Sequence, residues 1–387
     1  MALAVVLVSG AAVAAYAVWD IGSGIAGNAV DIGQGEDVAQ VPSGIGELEG
    51  GFNMLVIGAD NSANQNTSAY GKRDVTLNDV NMLVHVAEDH QSAVVVSFPR
   101  DLVIPIPECT DPDTGEVHAA QYAAMINSAF AKGGDKGGLG CVAATVSELT
   151  GLQIDYAAQF TFASVIQMTN ALGGVEVCLA DPIKDRFSGL DLGAGVNTIQ
   201  GEQALQFLRT RKAVGDGSDL SRIALQQTYM SSLVKKLKSD GTLGDVTKLY
   251  GIAKVASESL SLSRNLANIN AMVSMALTVR NLDLENIQLV QYPVGESPSD
   301  PNRVVPQTET AEQLMAAIAA DTAFSSDPDA RRVGVEDSEP ETPTAPETSA
   351  APPSTPAPGE TAETPSSGVI DGLVGQSAAQ ESCVVKN

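Results

Sequence analysis

The segment Val94–Pro107, VVVSFPRDLVIPIP, joins a β-branched apolar run to a pair of opposite charges and then to a proline-rich stretch. β-branched and aromatic residues bounded by turn signals predict a buried strand over Ala93–Phe98. Arg100 and Asp101 follow at the point where this strand leaves the sheet. The prolines that follow fix the direction in which the chain leaves the sheet, at positions where no backbone N–H is needed for strand pairing. The segment therefore predicts a core strand that brings an arginine to the edge of a sheet.

Two more predicted strands precede it, over residues 53–59 and 80–87. A short polar turn separates the second from the third, which favours an antiparallel hairpin. If the first two also pair antiparallel, the long loop between them starts and ends at one edge of the sheet. Edge here means the side of the sheet that is formed by the ends of its strands. We then expect Asp60, Asp79 and Arg100 to share that edge.

The rest of the patterned region alternates between helical and extended segments. Predicted helices cover residues 121–132, 139–150, 162–172, 202–208, 219–238, 245–260, 266–279 and 311–321. Predicted strands cover residues 156–161, 174–179 and 287–292. This mixture predicts an α/β fold, a three-layer α/β/α sandwich with a central mixed sheet.

The first residues, Met1–Trp19, carry no charge. Their length suffices for one bilayer-spanning helix, so residues 1–21 are predicted to be a transmembrane anchor with the rest of the chain outside the membrane. No Lys or Arg precedes the apolar run, although such residues normally flank the cytoplasmic side. A start further upstream or an unusual signal segment are the alternatives.

Composition divides the remaining chain. Residues 22–51 are Gly-rich and polar and predict a stalk, and residues 52–325 carry the patterned globular region. Residues 326–368 are dense in Pro, Glu, Thr and Ser and predict a disordered linker, because such a composition cannot build a core. Residues 369–387 form a short tail that either docks back or stays loose.

The net charge of -25 and the 4% aromatic content exclude a nucleic-acid-binding protein. In so acidic a chain, basic residues should be concentrated where an anionic substrate binds. Two carboxylates brought together need a proton or a cation between them. Oxygen ligands suit Mg²⁺, and a neighbouring arginine suits a phosphate. For Asp60 and Asp79 taken singly, the simpler reading is a loop or cap residue.

A second basic cluster lies in Gly201–Gln227. Arg209 and Arg211 can point together only if the helix that carries them ends near Leu208. Arg222 and Gln226 share one face of the next helix, for which Ser218 and Asp219 are natural N-caps. The cluster is either a diphosphate clamp or a solvated helix end with surface ion pairs.

Four cysteines, at positions 109, 141, 178 and 383, have no metal-binding spacing. An even number in an exported chain predicts disulfides, with three possible connectivities. We favour Cys109–Cys141, which would brace the segment after the third strand.

Several segments resemble, in order, the signature segments of the LytR–CpsA–Psr family. They are NMLVIGAD, LNDVNMLVHV, VVVSFPRDLVIPIP, INSAFAKGG, ELTGLQIDYAAQFTF, ALGGVEVCL and GEQALQFLRTRK with GSDLSRIALQQ, and they span residues 53–227. The resemblance implies Mg²⁺, with Mn²⁺ as a substitute, held by Asp60 and Asp79. It also implies a diphosphate surrounded by Arg100, Arg209, Arg211, Arg222 and Gln226. The family's arginine two residues before the second Asp is replaced here by Leu77, and Arg73 is the candidate to take its place. Asp101 is expected to orient Arg100.

The resemblance implies a single-pass membrane protein with its catalytic domain outside the membrane. Its partners would be a polyprenyl-diphosphate-linked anionic glycopolymer and peptidoglycan, and its reaction a phosphotransfer to a sugar hydroxyl. Two alternatives stay open: a prenyl-diphosphate phosphohydrolase, and a lipid-diphosphate-binding envelope regulator without turnover.

Overall fold

The first three core strands pair as the sequence predicts. The computed structural model describes residues 29–33, 45–60, 75–239, 241–337 and 368–387. Its strands are, in chain order, β1 (Ala29–Val30), β2 (Phe52–Asp60), β3 (Leu77–Val86), β4 (Ala93–Phe98), β5 (Val103–Ile106), β6 (Cys109–Thr110), β7 (Val117–His118), β8 (Gln121–Met125), β9 (Tyr156–Phe160), β10 (Val175–Leu179), β11 (Ile183–Asp185), β12 (Leu190–Leu192), β13 (Gly195–Ile199), β14 (Ser261–Ser263), β15 (Ile287–Gln291), β16 (Val294–Ser297), β17 (Asp300–Pro306), β18 (Phe324–Ser325), β19 (Val335–Asp337), β20 (Gly368–Val369), β21 (Gly375–Ser377) and β22 (Ser382–Val384). β2 pairs antiparallel with β3, and β3 with β4. Both predicted antiparallel pairs are therefore confirmed.

These strands form the centre of an eight-stranded mixed sheet with the order β1-β14-β9-β2-β3-β4-β15-β21. β9 lies parallel to β2 and β15 lies parallel to β4, so parallel strands flank the antiparallel centre. A separate four-stranded sheet has the order β13-β10-β22-β19. The predicted α/β class and mixed sheet are confirmed.

Helices pack on both faces of the large sheet. They are α1 (Ala129–Thr150), α2 (Phe162–Ala171), α3 (Glu202–Arg209), α4 (Asp219–Ser239), α5 (Val246–Ser259), α6 (Ile269–Val279) and α7 (Thr308–Ala319). Alternate residues of a strand point to opposite faces. Val94 and Val96 accordingly join a core with α1 and α7, whereas Ala93 joins a core with α5.

The helix predicted over residues 121–132 is wrong. Residues 121–125 form β8, which pairs antiparallel with β5, and α1 begins only at Ala129. Ala, Gln and Met are good helix formers, but helix propensity amounts to only a few tenths of a kcal/mol per residue, so pairing with β5 outweighs it. The helix predicted over 139–150 is the second part of α1, which is interrupted at Gly134 (φ 66°). A side chain at Gly134 would collide with the carboxylate of Asp111, so this position requires glycine.

Two disulfides brace the fold. Cys109 bonds Cys141, as predicted, and Cys178 bonds Cys383, which lies in β22. The tail therefore docks back onto the fold. Residues 335–337 form β19 beside β22, so folded structure continues beyond the predicted boundary at residue 325.

The predicted anchor, most of the predicted stalk and residues 338–367 of the predicted linker lie outside the described residues. Within the part of the chain that the structure describes, no helix combines the length and apolar character needed to cross a bilayer. The anchor stays a prediction.

Candidate functional site

A β-bulge places Asp79 at the edge of the large sheet. Gly58 pairs with Val80 and Ala59 pairs with Asn78, so Asp79 is the extra residue on β3. Bulges redirect a side chain and are frequent next to functional sites. The same register pairs Asp60 with Leu77. The backbones of Asp60 and Asp79 thus share one sheet edge, as predicted.

Arg100 follows β4 at this edge and lies among carboxylates. Its Nη1 is 3.3 Å from Oδ1 of Asp79, and its Nε lies 3.5 Å from Oδ1 of Asp219 and 3.7 Å from Oδ1 of Asp101. Burial lowers the pKa of Arg100, but the charges of these three carboxylates outweigh burial, so the pKa is raised. The contact with Asp101 agrees with its expected orienting role.

Asp219 and Arg222 join the start of α4 to the same edge. Arg222 Nη2 lies 2.6 Å from Asp219 Oδ1 and donates to the backbone oxygen of Asp79 at 2.6 Å. Arg222 is only 8% exposed, and burial lowers its pKa despite the neighbouring carboxylates. A buried guanidinium needs such partners to stay charged. Arg222 is therefore held by one partner on its own helix, Asp219, and by one that is distant in the chain, Asp79.

Asp219 is the residue whose role the sequence interpretation missed. The sequence offers both Ser218 and Asp219 as N-caps, and Ser218 takes that role, because its Oγ accepts from the N–H of Ser221 at 3.3 Å. Asp219 instead pairs with Arg222. The available signal was the spacing of Asp219 and Arg222, which places opposite charges on one helix face.

Arg209 and Arg211 lie at the end of α3, and their side chains contact different partners. α3 ends at Arg209 and the next residue, Thr210, is extended (ψ 131°). Arg209 lies over the ring of Phe162 at 4.4 Å, a cation–π distance. Arg211 Nε donates to the backbone oxygen of Gly217 at 3.1 Å. The predicted helix end is confirmed to within one residue.

These groups line one cavity of about 500 Å³. Its basic lining residues are Arg100, Arg209, Arg211, Lys212 and Arg222, against the two carboxylates Asp79 and Asp185. The remaining wall is mostly apolar, with side chains from β2, β3, α2, α3 and α4, among them Val56, Met82, Val165, Met168, Leu172, Leu205, Leu208, Met230 and Leu233. The cavity thus combines an apolar wall with a cationic end, in a chain whose net charge is -25.

The structure brings together the predicted Asp79, Arg100, Arg209, Arg211, Arg222 and Gln226 in the wall of this cavity. The Nε2 of Gln226 donates to the backbone oxygen of Leu208 at 3.2 Å. Arg73 lies outside the described residues, and so does the side chain of Asp60. Asp185, which had no signal in the sequence, accepts from the N–H of Arg211 at 3.4 Å.

Comparisons with known proteins agree on one family. The chain is 28% identical over 292 residues to the cell wall biosynthesis protein LcpA of Corynebacterium glutamicum, which covers 70% of this chain and 54% of LcpA. It is 32% identical over 200 residues to the probable cell wall biosynthesis protein LcpB of the same organism, covering 50% of this chain and 44% of LcpB. The chain therefore spans about half the length of these two relatives.

A third relative is matched over most of its length. The polyisoprenyl-teichoic acid–peptidoglycan teichoic acid transferase TagT of Bacillus subtilis is 25% identical over 297 residues, which is 75% of this chain and 83% of TagT.

Solved structures share the fold. The crystal structure of B. subtilis TagV superposes with a TM-score of 0.53 at 19% identity, covering 70% of this chain and 97% of TagV. TagT bound to LI-WTA superposes with a TM-score of 0.52 at 21% identity, covering 76% of this chain and 98% of TagT.

The LytR_cpsA_psr family profile matches residues 26–319, which is well over half of the chain. The match includes Asp79 and Arg100 at the strand ends, and also the arginines at positions 209, 211 and 222. The chain belongs to the LytR_cpsA_psr family.

Proposed function

We propose that this protein transfers an anionic glycopolymer from a polyprenyl-diphosphate carrier to a sugar hydroxyl of peptidoglycan. The observation that carries the proposal is a cavity that combines an apolar wall with a cationic end. A lipid-linked diphosphate has the complementary pattern, since its prenyl chain is apolar and its diphosphate is anionic. The relatives named as teichoic acid transferases support the substrate class.

In the proposed reaction the sugar hydroxyl attacks the phosphorus that bears the glycopolymer. A new P–O bond forms, the bond from that phosphorus to the bridging oxygen breaks, and polyprenyl phosphate leaves with the electron pair. The hydroxyl proton passes to water, because the Asp79 carboxylate pairs with Arg100 and would bind the cation, which makes it a weak base. Arg100 and Arg222 act on the diphosphate, because preorganised cations stabilise charge that develops in a phosphoryl transfer.

The donor atoms fit Mg²⁺, with Mn²⁺ as a substitute. Asp79 lies in the cavity wall with 19% of its side chain exposed, and the lining has no His or Cys. The described residues contain no group of three or more candidate ligands. Mg²⁺ typically uses one or two carboxylates and completes its shell with water and phosphate oxygens, so Asp79 with Asp60 would suffice. When bound, the cation would neutralise charge on the diphosphate.

The predicted anchor in residues 1–21 completes the proposal. Held in the membrane by that helix, with the cavity on the extracytoplasmic side, the protein would meet lipid carriers at the membrane surface.

The test uses the purified chain with a prenyl-diphosphate-linked saccharide and a soluble peptidoglycan fragment. We expect Mg²⁺-dependent formation of the saccharide–peptidoglycan product and of prenyl phosphate in equal amounts. Prenyl phosphate released without the conjugate would instead identify a hydrolase. Tight binding of the carrier without any product would identify a binding protein, and either result would contradict the proposal.

A further inference from the structure

The segment of residues 368–387 lies beyond the part of the chain that the family profile matches, yet it belongs to the folded core. β21 extends the large sheet beside β15, and β22 lies between β10 and β19 in the smaller sheet. Leu373, Ala378 and Val384 each have 0% exposure. Side chains this deeply buried stabilise the fold, so the segment is not an appendage.

Two side-chain links hold β22 in place. Cys383 bonds Cys178 on the neighbouring strand β10. The hydroxyl of Ser382 lies 3.2 Å from that of Thr228 on α4, the helix that also carries Arg222. β22 is therefore tied both to the smaller sheet and to a helix of the cavity wall.

The residues after β22 bind the loop Arg211–Gly217, called here the basic loop. The N–H of Asn387 donates to the backbone oxygen of Ala213 at 3.2 Å. The N–H of Gly215 donates to the backbone oxygen of Val385 at 3.3 Å. Each segment donates one of these two backbone hydrogen bonds, as paired strands do in an antiparallel sheet.

Further contacts support this pairing. Val214 and Lys386 form an antiparallel bridge, and the side-chain amide of Asn387 donates to the backbone oxygen of Lys212 at 3.3 Å. Val214 and Val384 both have 0% exposure and pack in the same hydrophobic cluster. The basic loop is therefore bound by backbone, side-chain and packing contacts together.

The basic loop in turn holds two cations of the cavity. The backbone oxygen of Gly217 accepts from Arg211 Nε at 3.1 Å and from Lys212 Nζ at 3.4 Å. Both side chains line the cavity. A shift of Gly217 would therefore release both cations from their common acceptor.

We propose that residues 385–387, anchored by β22, form a strap that positions Arg211 and Lys212 for the diphosphate. This inference rests on the proposed function, and it assigns a part in substrate binding to a segment outside the family match. Arg211 and Lys212 touch the substrate, and the strap acts through them.

The test compares the full chain with a variant that ends at Val384, which keeps the Cys178–Cys383 bond and the buried Val384. Binding of geranyl diphosphate is measured by calorimetry, and exchange of the amides in the basic loop by mass spectrometry. We expect the variant to exchange these amides faster and its Kd to rise about tenfold, which is about 1.4 kcal/mol. Exchange in α1, on the far face of the sheet, should stay unchanged.

Kinetics separate positioning from general instability. We expect the KM for the lipid-linked substrate to rise about tenfold with kcat changed less than about twofold, the pattern of lost ground-state binding. Partial unfolding would lower the apparent kcat and leave the KM unchanged. Lys386→Ala, which keeps the backbone, should behave as the full chain does, and Asn387→Ala should weaken binding by a smaller factor than the truncation.

An unchanged Kd in the truncated variant overturns the strap, whether or not exchange in the basic loop becomes faster. A full chain that fails to bind geranyl diphosphate is a failure of the proposed function, and it removes the strap with it. The first result comes from comparing the truncated variant with the full chain, and the second comes from the full chain alone. The two failures are therefore distinguishable.

Discussion

The carboxylate of Asp219 accepts a hydrogen bond from the backbone N–H of Arg100 at 3.1 Å, although 119 positions separate the two residues. The bond joins the start of α4 to the end of β4. It brings Arg222 of that helix to the edge where Asp79 lies. The cationic end of the cavity depends on this junction.

Replacing Asp219 by Asn should disturb both stability and binding. The change removes the negative partner of buried Arg222, and breaking a buried pair costs roughly 3 kcal/mol. We expect unfolding in urea at a lower concentration and a KM raised at least about tenfold. Asp245→Asn is the matched control, because Asp245 caps α5 through the N–H groups of Thr247 and Lys248, away from the cavity lining. Equal KM values for both variants would contradict the assigned role.

Arg100→Lys tests whether geometry or charge matters at the sheet edge. Lysine keeps the charge but loses the planar fork that reaches several oxygens at once. We expect kcat/KM to fall about a hundredfold, which corresponds to about 2.7 kcal/mol. Arg264→Lys is the control, since Arg264 is 72% exposed and pairs with Asp31 at the surface. Full activity of Arg100→Lys would show that any cation suffices.

Removal of divalent cations should stop the reaction. We expect activity to be lost in excess chelator and restored by Mg²⁺ and by Mn²⁺, because hard oxygen donors accept both. Asp79→Ala should stay folded and should not respond to added Mg²⁺. Turnover that continues unchanged in chelator would exclude the proposed cation.

A larger side chain in the apolar wall should discriminate against long prenyl chains. Val165→Phe fills part of the cavity, and overpacking costs about 1–3 kcal/mol. We expect the KM to rise for a long-chain carrier and to stay near the wild-type value for a short-chain analogue. Val246→Phe, at a 44% exposed position outside the lining, is the control. An equal effect on both chain lengths would place the lipid elsewhere.

Removing the Cys109–Cys141 disulfide, which lies outside the cavity lining, should affect stability only. Cys109 and Cys141 enclose a separation of 32 residues, for which the chain-entropy relation predicts a loss of roughly 3–4 kcal/mol. The double variant Cys109→Ser and Cys141→Ser should melt at a lower temperature with an unchanged KM, because neither residue lines the cavity. This variant also serves as the destabilised control for the strap experiment. A raised KM would indicate coupling between the disulfide and the cavity.

Local patterns were sufficient to predict much of the fold and the site. The β-branched run before Arg100, the short turn between two strands and the end of the helix at Arg209 are all encoded by neighbouring residues. Alternation and turn length determine strand pairing, and strand pairing determines which residues share an edge. Local sequence patterns are therefore sufficient to place Asp79 and Arg100 together. The prediction of a helix from residue 121 is wrong because pairing with β5 outweighs helix propensity, even in a segment of good helix formers.

The sequence by itself determined the mixed α/β class, the sheet edge with Asp79 and Arg100, and the supply of arginines for an anionic ligand. Only the tertiary structure decided that Asp219 joins two arginines, that Asp79 sits on a bulge, and that residues 385–387 hold the basic loop. The physical reason is range: periodicity and turns describe neighbours in the chain. Contacts across 119 or 175 positions arise only when separate elements pack together and satisfy buried polar groups.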